Sequence, residues 1–468
     1  MSSPIPIIPP RLALIALSGA MLLASMAVSI TTIALPALSR AMEAPVSAVQ
    51  WVVLIYLLSV TVTIVLAGRC ADLFGQRFIL LTGLIIFTVS SVFCAVAPSL
   101  TMLIAARALQ GIGGAILMAL PVSVIRGMVA GERTGSAMGL LASMSAVGTA
   151  LGPAVGGLLI AGFGWRSAFI LLALSGLIVL GLAVKAIPAS KQAHKTSRSL
   201  DLSGALLLAV VLFLYAVMTS GQQSGMNWGL SRTLPAILFA LMLFIIVEIR
   251  SSSPLVPLTV LRNPAISASL ITNGLISSVM MAMLVVGPLF LSFGLLLGEA
   301  QTGLVVAVGP VVAALAGIPA GRITDRFGVK SILVAGLSAM SVALICMALL
   351  PVRLGTAGYI VSLMMLTPCF QLFLTANNTA IMLAAPEEQR GILSGLLGLS
   401  RNLGFMTGAS VMATIFITAL GQEDLIHAAV NSVSFAFTVT LLTAAGLALI
   451  SLIITLLSIR NKIKPVQA

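Results

Sequence analysis

A carboxylate and a cation stand five residues apart in GRCADLFGQR, which begins at Gly68, and again in GRITDRFGVK, which begins at Gly321. The pairs are Asp72 with Arg77 and Asp325 with Lys330, and the glycines Gly68, Gly75, Gly321 and Gly328 recur at the same offsets. Five of the ten positions are identical and a sixth is basic in both copies, so the segment reads as one loop written twice between long apolar runs, displaced by 253 residues. The chemistry open to such a pair is electrostatic. Charges at helix ends can latch one arrangement of helices and release another, with a glycine permitting the tight turn between them. Each Asp, lying close to the start of the following helix, can also act on its dipole. The plainer alternative is a static cap flanked by basic residues, and duplication argues against it.

Two further clusters carry polar chemistry into apolar surroundings. In LIAARALQGIGG, residues 103–114, Arg107 and Gln110 are three positions apart and share a helix face. A cation inside an apolar run is costly and normally meets a polar cavity or a partner, so Arg107 reads as a ligand-facing group or as a brace on backbone carbonyls. In GTALGPAVGG, residues 148–157, the glycines Gly148, Gly152 and Gly156 are spaced by four and present a smooth stripe for close helix contact. Pro153 cannot donate to the carbonyl of Thr149, and a bend is expected there. A pliable, closely packed helix suits a gate; simple small-residue packing is the other reading.

The elements that must hold these groups are membrane helices. The chain has 468 residues, 60% of them hydrophobic and 7% charged, with mean hydropathy +1.20. Soluble domains carry about 25% charged residues, so lipid must cover most of this surface. The formal charge of +13 is therefore read as topological, with basic residues gathered in cytoplasmic loops, and not as a nucleic-acid footprint. The four cysteines, Cys70, Cys94, Cys346 and Cys369, lack metal-ligand spacing. Neither a metal nor a cofactor is expected, and no spanning segment offers the His/Asp/Glu cluster of an intramembrane enzyme. No cleavable signal peptide is evident, since the first apolar run is long enough to span.

A spanning helix needs about 20 apolar residues. Runs of that kind lie near 12–38, 50–68, 78–97, 102–125, 136–161, 167–187, 203–219, 233–249, 266–292, 301–320, 331–350, 356–380, 391–419 and 435–459, fourteen in all. Their length and lack of alternation exclude barrel strands. With the N-terminus inside, eighteen of the 24 Lys and Arg residues fall in inner segments, four in outer segments and two, Arg107 and Arg401, within spans. That bias places both termini and both copies of the repeat in the cytoplasm. A displacement of 253 residues corresponds to about eight helices at roughly 30 residues each, not six. Two extra helices thus stand between two related halves. The expected organisation is a six-helix bundle over 1–187, a polar linker and two inserted helices over 188–262, and a second six-helix bundle over 263–468.

The repeat from Gly68 to Arg77, the pattern around Arg107 and the glycine-proline pattern of the fifth span resemble the signature motifs of the major facilitator superfamily. The central helix pair, entered through Asp201-Leu-Ser-Gly204, makes the chain similar to that superfamily's 14-helix branch of drug:proton antiporters. The resemblance covers nearly the whole chain. It implies an all-α integral membrane fold of two pseudo-symmetric six-helix bundles plus the inserted pair, working by alternating access. Spans 1, 4, 9 and 12 would line a central cavity, with 2, 5, 10 and 13 beside them. The polar residues on those spans are the candidate binding set: Thr31, Thr32, Tyr56, Arg107, Gln110, Asn273, Gln371, Asn377, Asn378 and Arg401, with Ser29 nearby. Met280, Met281 and Met283 follow Asn273 and could adapt to varied apolar ligands or simply pack.

One departure from the family pattern is informative. The first span of these antiporters commonly carries a proton-linked Asp where this chain has Ala27. All eleven acids fall in loops or at helix ends, and both histidines, His194 and His427, in loops. Proton coupling would then rest on Asp72, on an end-of-helix acid such as Glu43 or Glu299, or on the substrate's own proton. With Arg107 and Arg401 in spans and no counter-charge, neutral, weakly acidic or anionic amphiphiles fit at least as well as cations. The implied function is export of small amphipathic compounds, drugs or biocides, by a monomer in a bilayer, a bacterial inner membrane being the expected setting. A dedicated exporter or uniporter of a metabolite, sugar or siderophore stays open, as does a transporter-like membrane sensor.

Overall fold

A computed structural model describes residues 10–128, 131–187, 202–219, 229–251, 262–384, 390–421 and 428–461. The first half contributes α1 Pro10–Ala41, α2 Trp51–Phe74, α3 Gln76–Val96, α4 Leu100–Met128, α5 Gly131–Phe163 and α6 Arg166–Ala186. The central pair is α7 Leu202–Thr219 and α8 Gly229–Arg250. The second half holds α9 Pro264–Leu289, α10 Glu299–Phe327, α11 Val329–Ala384, α12 Arg390–Thr407, α13 Ala413–Leu420 and α14 Val430–Asn461. Among the described residues every regular element is helical, and eleven helices are long and apolar enough to cross a membrane. In lipid the backbone has no water to bond, so continuous helices satisfy it within each segment.

Helix α11 has 56 residues, about 84 Å at a rise of 1.5 Å per residue, far beyond a hydrocarbon core of about 30 Å. Its helical dihedrals fail at Gly355, with φ 59° and ψ −139°. A Cβ at Gly336 would sit 3.2 Å from the nitrogen of Phe373, so the two limbs lie side by side. The predicted spans 331–350 and 356–380 are those limbs. Two other helices carry π turns. A π turn, Phe290–Gly294, closes α9 just after Pro288, and another, Gly408–Met412, joins α12 to α13. At Pro288 the missing backbone donor favours such local rewinding.

In the first bundle α1 packs on α5 and α6, α2 on α4, and α3 on α4 and α6. In the second, α9 packs on α12 and α14, α10 on α11, and α11 on α14. The two bundles meet most extensively along α5 against α10, and also where α1 touches α9 and α2 touches α12. Helix α7 packs on α8 and also reaches both α2 and α12, so the inserted pair stands beside the α2–α12 seam. The linker residues 188–201 lie outside the described residues.

The repeat is not the loop that the sequence suggests. Helix α2 runs on through Asp72 to Phe74, and α3 begins at Gln76; α10 runs through Asp325 to Phe327, and α11 begins at Val329. A single glycine makes each turn, Gly75 with φ 94° and ψ 136°, and Gly328 with φ 82° and ψ 147°. Both lie where an L side chain is strained, which is why the motif needs glycine at that offset. Both Asp residues thus belong to the last turn of the preceding helix, not to a loop opposite the next helix dipole.

Candidate functional site

Arg107 is fully buried in the first bundle, between α2, α3 and α4. Its Nε donates to the carbonyl of Val52 at 3.0 Å, and its Nη1 donates to Gln110 Oε1. The guanidinium carbon lies 4.1 Å from the centre of the Tyr56 ring. Gln110 passes the network on, donating to Ser91 Oγ at 2.6 Å, and the Tyr56 hydroxyl donates to the Ala24 carbonyl at 3.2 Å. Gly114 makes room for that hydroxyl, which a Cβ there would strike. The spacing of three between Arg107 and Gln110 brings both to one face, as expected. Their partners are α2 and α3, so this cation braces the bundle through dipoles and a ring face, with no carboxylate in the network.

Most of the other candidate binding residues are likewise engaged in the helices around them. Thr31 donates to the Ala27 carbonyl and Thr32 to the Ser29 carbonyl, each at 2.8 Å, and both are buried. Asn273 on α9 donates to the Leu397 carbonyl of α12 at 3.1 Å, and Asn377 on α11 to the Ser269 carbonyl of α9 at 3.2 Å. Met281 and Met283 are buried and Met280 half-buried. Gln371 is half-buried, and Asn378 and Arg401 are exposed. Ala27, at the position of the antiporters' usual Asp, is fully buried.

Successive residues of α12 are turned by about 100°, and its contacts locate Arg401. A Cβ at Gly404 would meet the Gly274 carbonyl and lie 2.6 Å from the Cβ of Ser277, so that side faces α9. Met406 Sδ accepts from Thr61 Oγ1 of α2 at 3.8 Å, and Thr407 Oγ1 accepts from Tyr215 of α7 at 2.9 Å. Arg401 leaves from the remaining arc, between the α9 side and the α2 side and away from α7. Since α9 and α2 belong to different bundles, that arc opens onto the cleft between them.

The predicted gating residues divide between the seams and the hinges. Gly148 packs on Leu22 and Gly152 on Ser29 and Ile30, while a Cβ at Gly156 would lie 2.6 Å from Ile30 Cγ1. The expected stripe therefore seats α5 on α1. The next glycine faces the other bundle: a Cβ at Gly157 would be 2.7 Å from both the Glu299 carbonyl oxygen and Gly303 Cα. The carbonyl of buried Pro153 in turn lies against Gly303. Spacing revealed the stripe, but Gly303 carried no signal beyond being a glycine in a span.

At the same end, Arg40 Nη1 donates to Glu299 Oε1 at 3.0 Å, and the Arg40 guanidinium carbon lies 4.9 Å from the Phe293 ring centre. This is the single ion pair among the described residues. The sequence placed Arg40 and Glu299 at helix ends but could not pair residues 259 apart. At the opposite end, Arg77 Nη2 donates to the Val184 carbonyl at 3.0 Å, in the last turn of α6, a favourable place for a cation. Asp325 and Lys330 are exposed and do not pair with each other. Cβ atoms at Gly68, Gly75, Gly321 and Gly328 would have no neighbour within 4 Å. The seam contacts of Arg40, Gly157 and Met406 thus hold the bundles from mid-helix to the end away from the repeat, while the repeat glycines make no such close contact.

Glu43, Glu248, Glu299, Asp325 and, by its backbone, Asp72 all sit in the end turns of helices or just beyond them. The other acids and both histidines lie where side chains are not described. A cavity of about 210 Å³ opens at the repeat end of the second bundle, lined by Ser269, Thr272, Lys330, Asn377 and Thr455 among others. It lies within one bundle, between α9, α11 and α14, and is smaller than the roughly 300–1,000 Å³ of ordinary ligand pockets.

Comparison with known proteins places this architecture. The family model described as Major Facilitator Superfamily matches residues 17–408 and 268–467. The "Riboflavin transporter RibZ" of Clostridioides difficile (strain 630) is 28% identical over 441 residues, covering 94% of this chain and 95% of its own length. The "Multidrug resistance protein Stp" of Mycobacterium tuberculosis (strain CDC 1551 / Oshkosh) is 30% identical over 392 residues, 82% of this chain and 72% of its own. A bacterial homologue of the human lysosomal transporter Spinster, solved inward-facing and unoccupied, superposes with TM-score 0.71 at 15% identity, covering 98% of this chain and 99% of its own.

Proposed function

The chain belongs to the major facilitator superfamily, and from that premise we propose that it exports small amphipathic compounds, drugs or biocides among them, by alternating access. One observation carries the proposal. Two bundles, each bearing a copy of the same glycine hinge at Gly75 or Gly328, are joined at the end away from those hinges by Arg40–Glu299 and the Gly157–Gly303 contact. Rocking of one bundle against the other would break that junction and form another at the hinge end. The relative named for multidrug resistance supports the drug class. We assign the repeat, and both termini, to the cytoplasmic side from the distribution of Lys and Arg. On that assignment the Arg40–Glu299 junction lies on the opposite, outer side.

The energy source is proposed to be the proton gradient, although Ala27 replaces the usual carboxylate. The protonatable groups then stand at helix ends, with Asp72, Glu43 and Glu299 foremost, or on the substrate itself. The riboflavin transporter among the relatives favours a second reading, in which the cargo is one metabolite. Overexpression in a pump-deficient host separates the two: a broad rise in drug tolerance supports export of amphipathic compounds, and a response to a single metabolite supports the second reading. Substrate-driven proton movement in proteoliposomes tests coupling. A signal that survives neutralising Asp72, Glu43 and Glu299 in turn, with a substrate that does not titrate, would overturn the assignment of those acids.

A further inference from the structure

We propose that Arg401 is an anion-recognition residue in the cleft between the bundles, and that the substrates handled best there carry a negative charge, as a carboxylate, sulfonate or phosphate joined to an apolar body. The proposal rests on the export reading above and names its substrate class.

Two span arginines have opposite fates. Arg107 is sealed inside the first bundle, with Nε on the Val52 carbonyl, Nη1 on Gln110 and its face on Tyr56, while Nη2 is buried without a partner. Arg401 is exposed, eleven residues into α12, on the arc that faces the cleft. Among the described residues the one ion pair is between Arg40 and Glu299, so Arg401 has no carboxylate on it. The described acids sit at helix ends, and the whole sequence has none within a spanning core. Ala27, buried on α1, leaves no substitute.

A guanidinium at membrane depth is costly unless it meets water, a partner or a ligand. Its planar fork matches carboxylate and phosphate oxygens in a two-point arrangement, and low local polarity strengthens that attraction. A cationic ligand in the same cleft would meet like charge with no counter-ion on the described spans. A nearby side chain suits an amphiphile. Phe405, half-buried, is four residues on along the same arc and adds apolar surface beside Arg401.

The test uses the full chain, purified and in proteoliposomes, with carboxyfluorescein as the anionic probe and ethidium as the cationic one. Binding is read by fluorescence anisotropy in detergent and transport by dye movement. The wild type should bind and move carboxyfluorescein in preference to ethidium. Arg401→Gln should weaken carboxyfluorescein binding roughly tenfold, the scale of one charge-assisted hydrogen-bonded contact, and leave ethidium unchanged or improved. Arg401→Lys, which keeps the charge and loses the fork, should recover part of the binding and guards against a misfolded Gln variant. Equal binding of carboxyfluorescein by the wild type and a monodisperse Arg401→Gln variant overturns the assignment, as does a wild type that prefers ethidium. Arg401-dependent binding without any dye movement would sustain the anion site and overturn the export reading instead.

Discussion

Arg40 and Glu299 join the end of α1 to the start of α10 across 3.0 Å, with side chains 43% and 30% exposed. An ion pair this open contributes about 0.2–1 kcal/mol and is screened by salt. Its position gives it more influence over conformation than over folding, because opening the cleft at that end must break it. Glu299→Gln should therefore enlarge the population open at the Arg40 end by about twofold, and high salt should do the same to the wild type. Spin labels on α1 and α10, read by double electron–electron resonance, measure that population. An unchanged distance distribution would remove the pair from the gate.

The Arg107 network is expected to be structural in the first bundle. Arg107→Ala leaves the Val52 carbonyl and Gln110 without their donor and opens a cavity beside Tyr56, a loss of about 2–4 kcal/mol. The melting temperature of the purified protein should fall, and Arg107→Lys should recover little of it, since lysine cannot span the same partners. A variant with wild-type melting and no substrate binding would instead make Arg107 a ligand-contacting group.

Close backbone contact at the α5–α10 seam predicts a sharp contrast among glycines. Gly157→Ala or Gly303→Ala places a methyl where the facing backbone already stands, and should slow transport about tenfold or more by wedging the seam. Gly162→Ala, on the same helix with nothing within 4 Å of its Cβ, should be silent. Initial transport rates in vesicles, normalised to folded protein, decide it. Similar losses at Gly157 and Gly162 would show that the helix and not the seam is being perturbed.

The inserted helices gain a mechanical connection through Tyr215. Its hydroxyl donates to Thr407 on α12 at 2.9 Å, while Phe213 lies 6.2 Å, centre to centre, from Trp51 on α2. Tyr215→Phe removes a hydrogen bond of about 1 kcal/mol and should raise amide exchange along α7 without a comparable change in α9. Exchange that rises equally in α9, or in neither helix, would argue against α7 as a bridge between the bundles.

Much of the architecture was legible in the chain. Apolar runs located the helices because hydrocarbon admits few other backbones, and the duplicated motif exposed the two halves and the inserted pair. Gly75 and Gly328 could be read as turn glycines because their positive φ leaves little choice of residue. The loop reading of the repeat did not survive: polar residues at 68–77 suggested an unwound segment, yet both helices continue to within one residue of the hinge. Water at a membrane surface tolerates charged helix ends as readily as loops, so polarity alone could not mark the boundary.

Residue type and order by themselves determined that this is a duplicated helical membrane protein with hinges, close-packing glycines and two cations at membrane depth. Which of those cations is buried and which faces the cleft was decided only by tertiary structure. Arg107 and Arg401 are the same residue in similar apolar runs, and the difference lies in what packs around them. Tyr56, Val52 and Gln110 enclose one, whereas the α9 and α2 contacts of α12 leave the other on an open arc. Gln110 aside, those neighbours come from other helices, 55 residues away for Val52 and 345 apart for Thr61 and Met406. Periodicity along one helix specifies a face but not what stands opposite it.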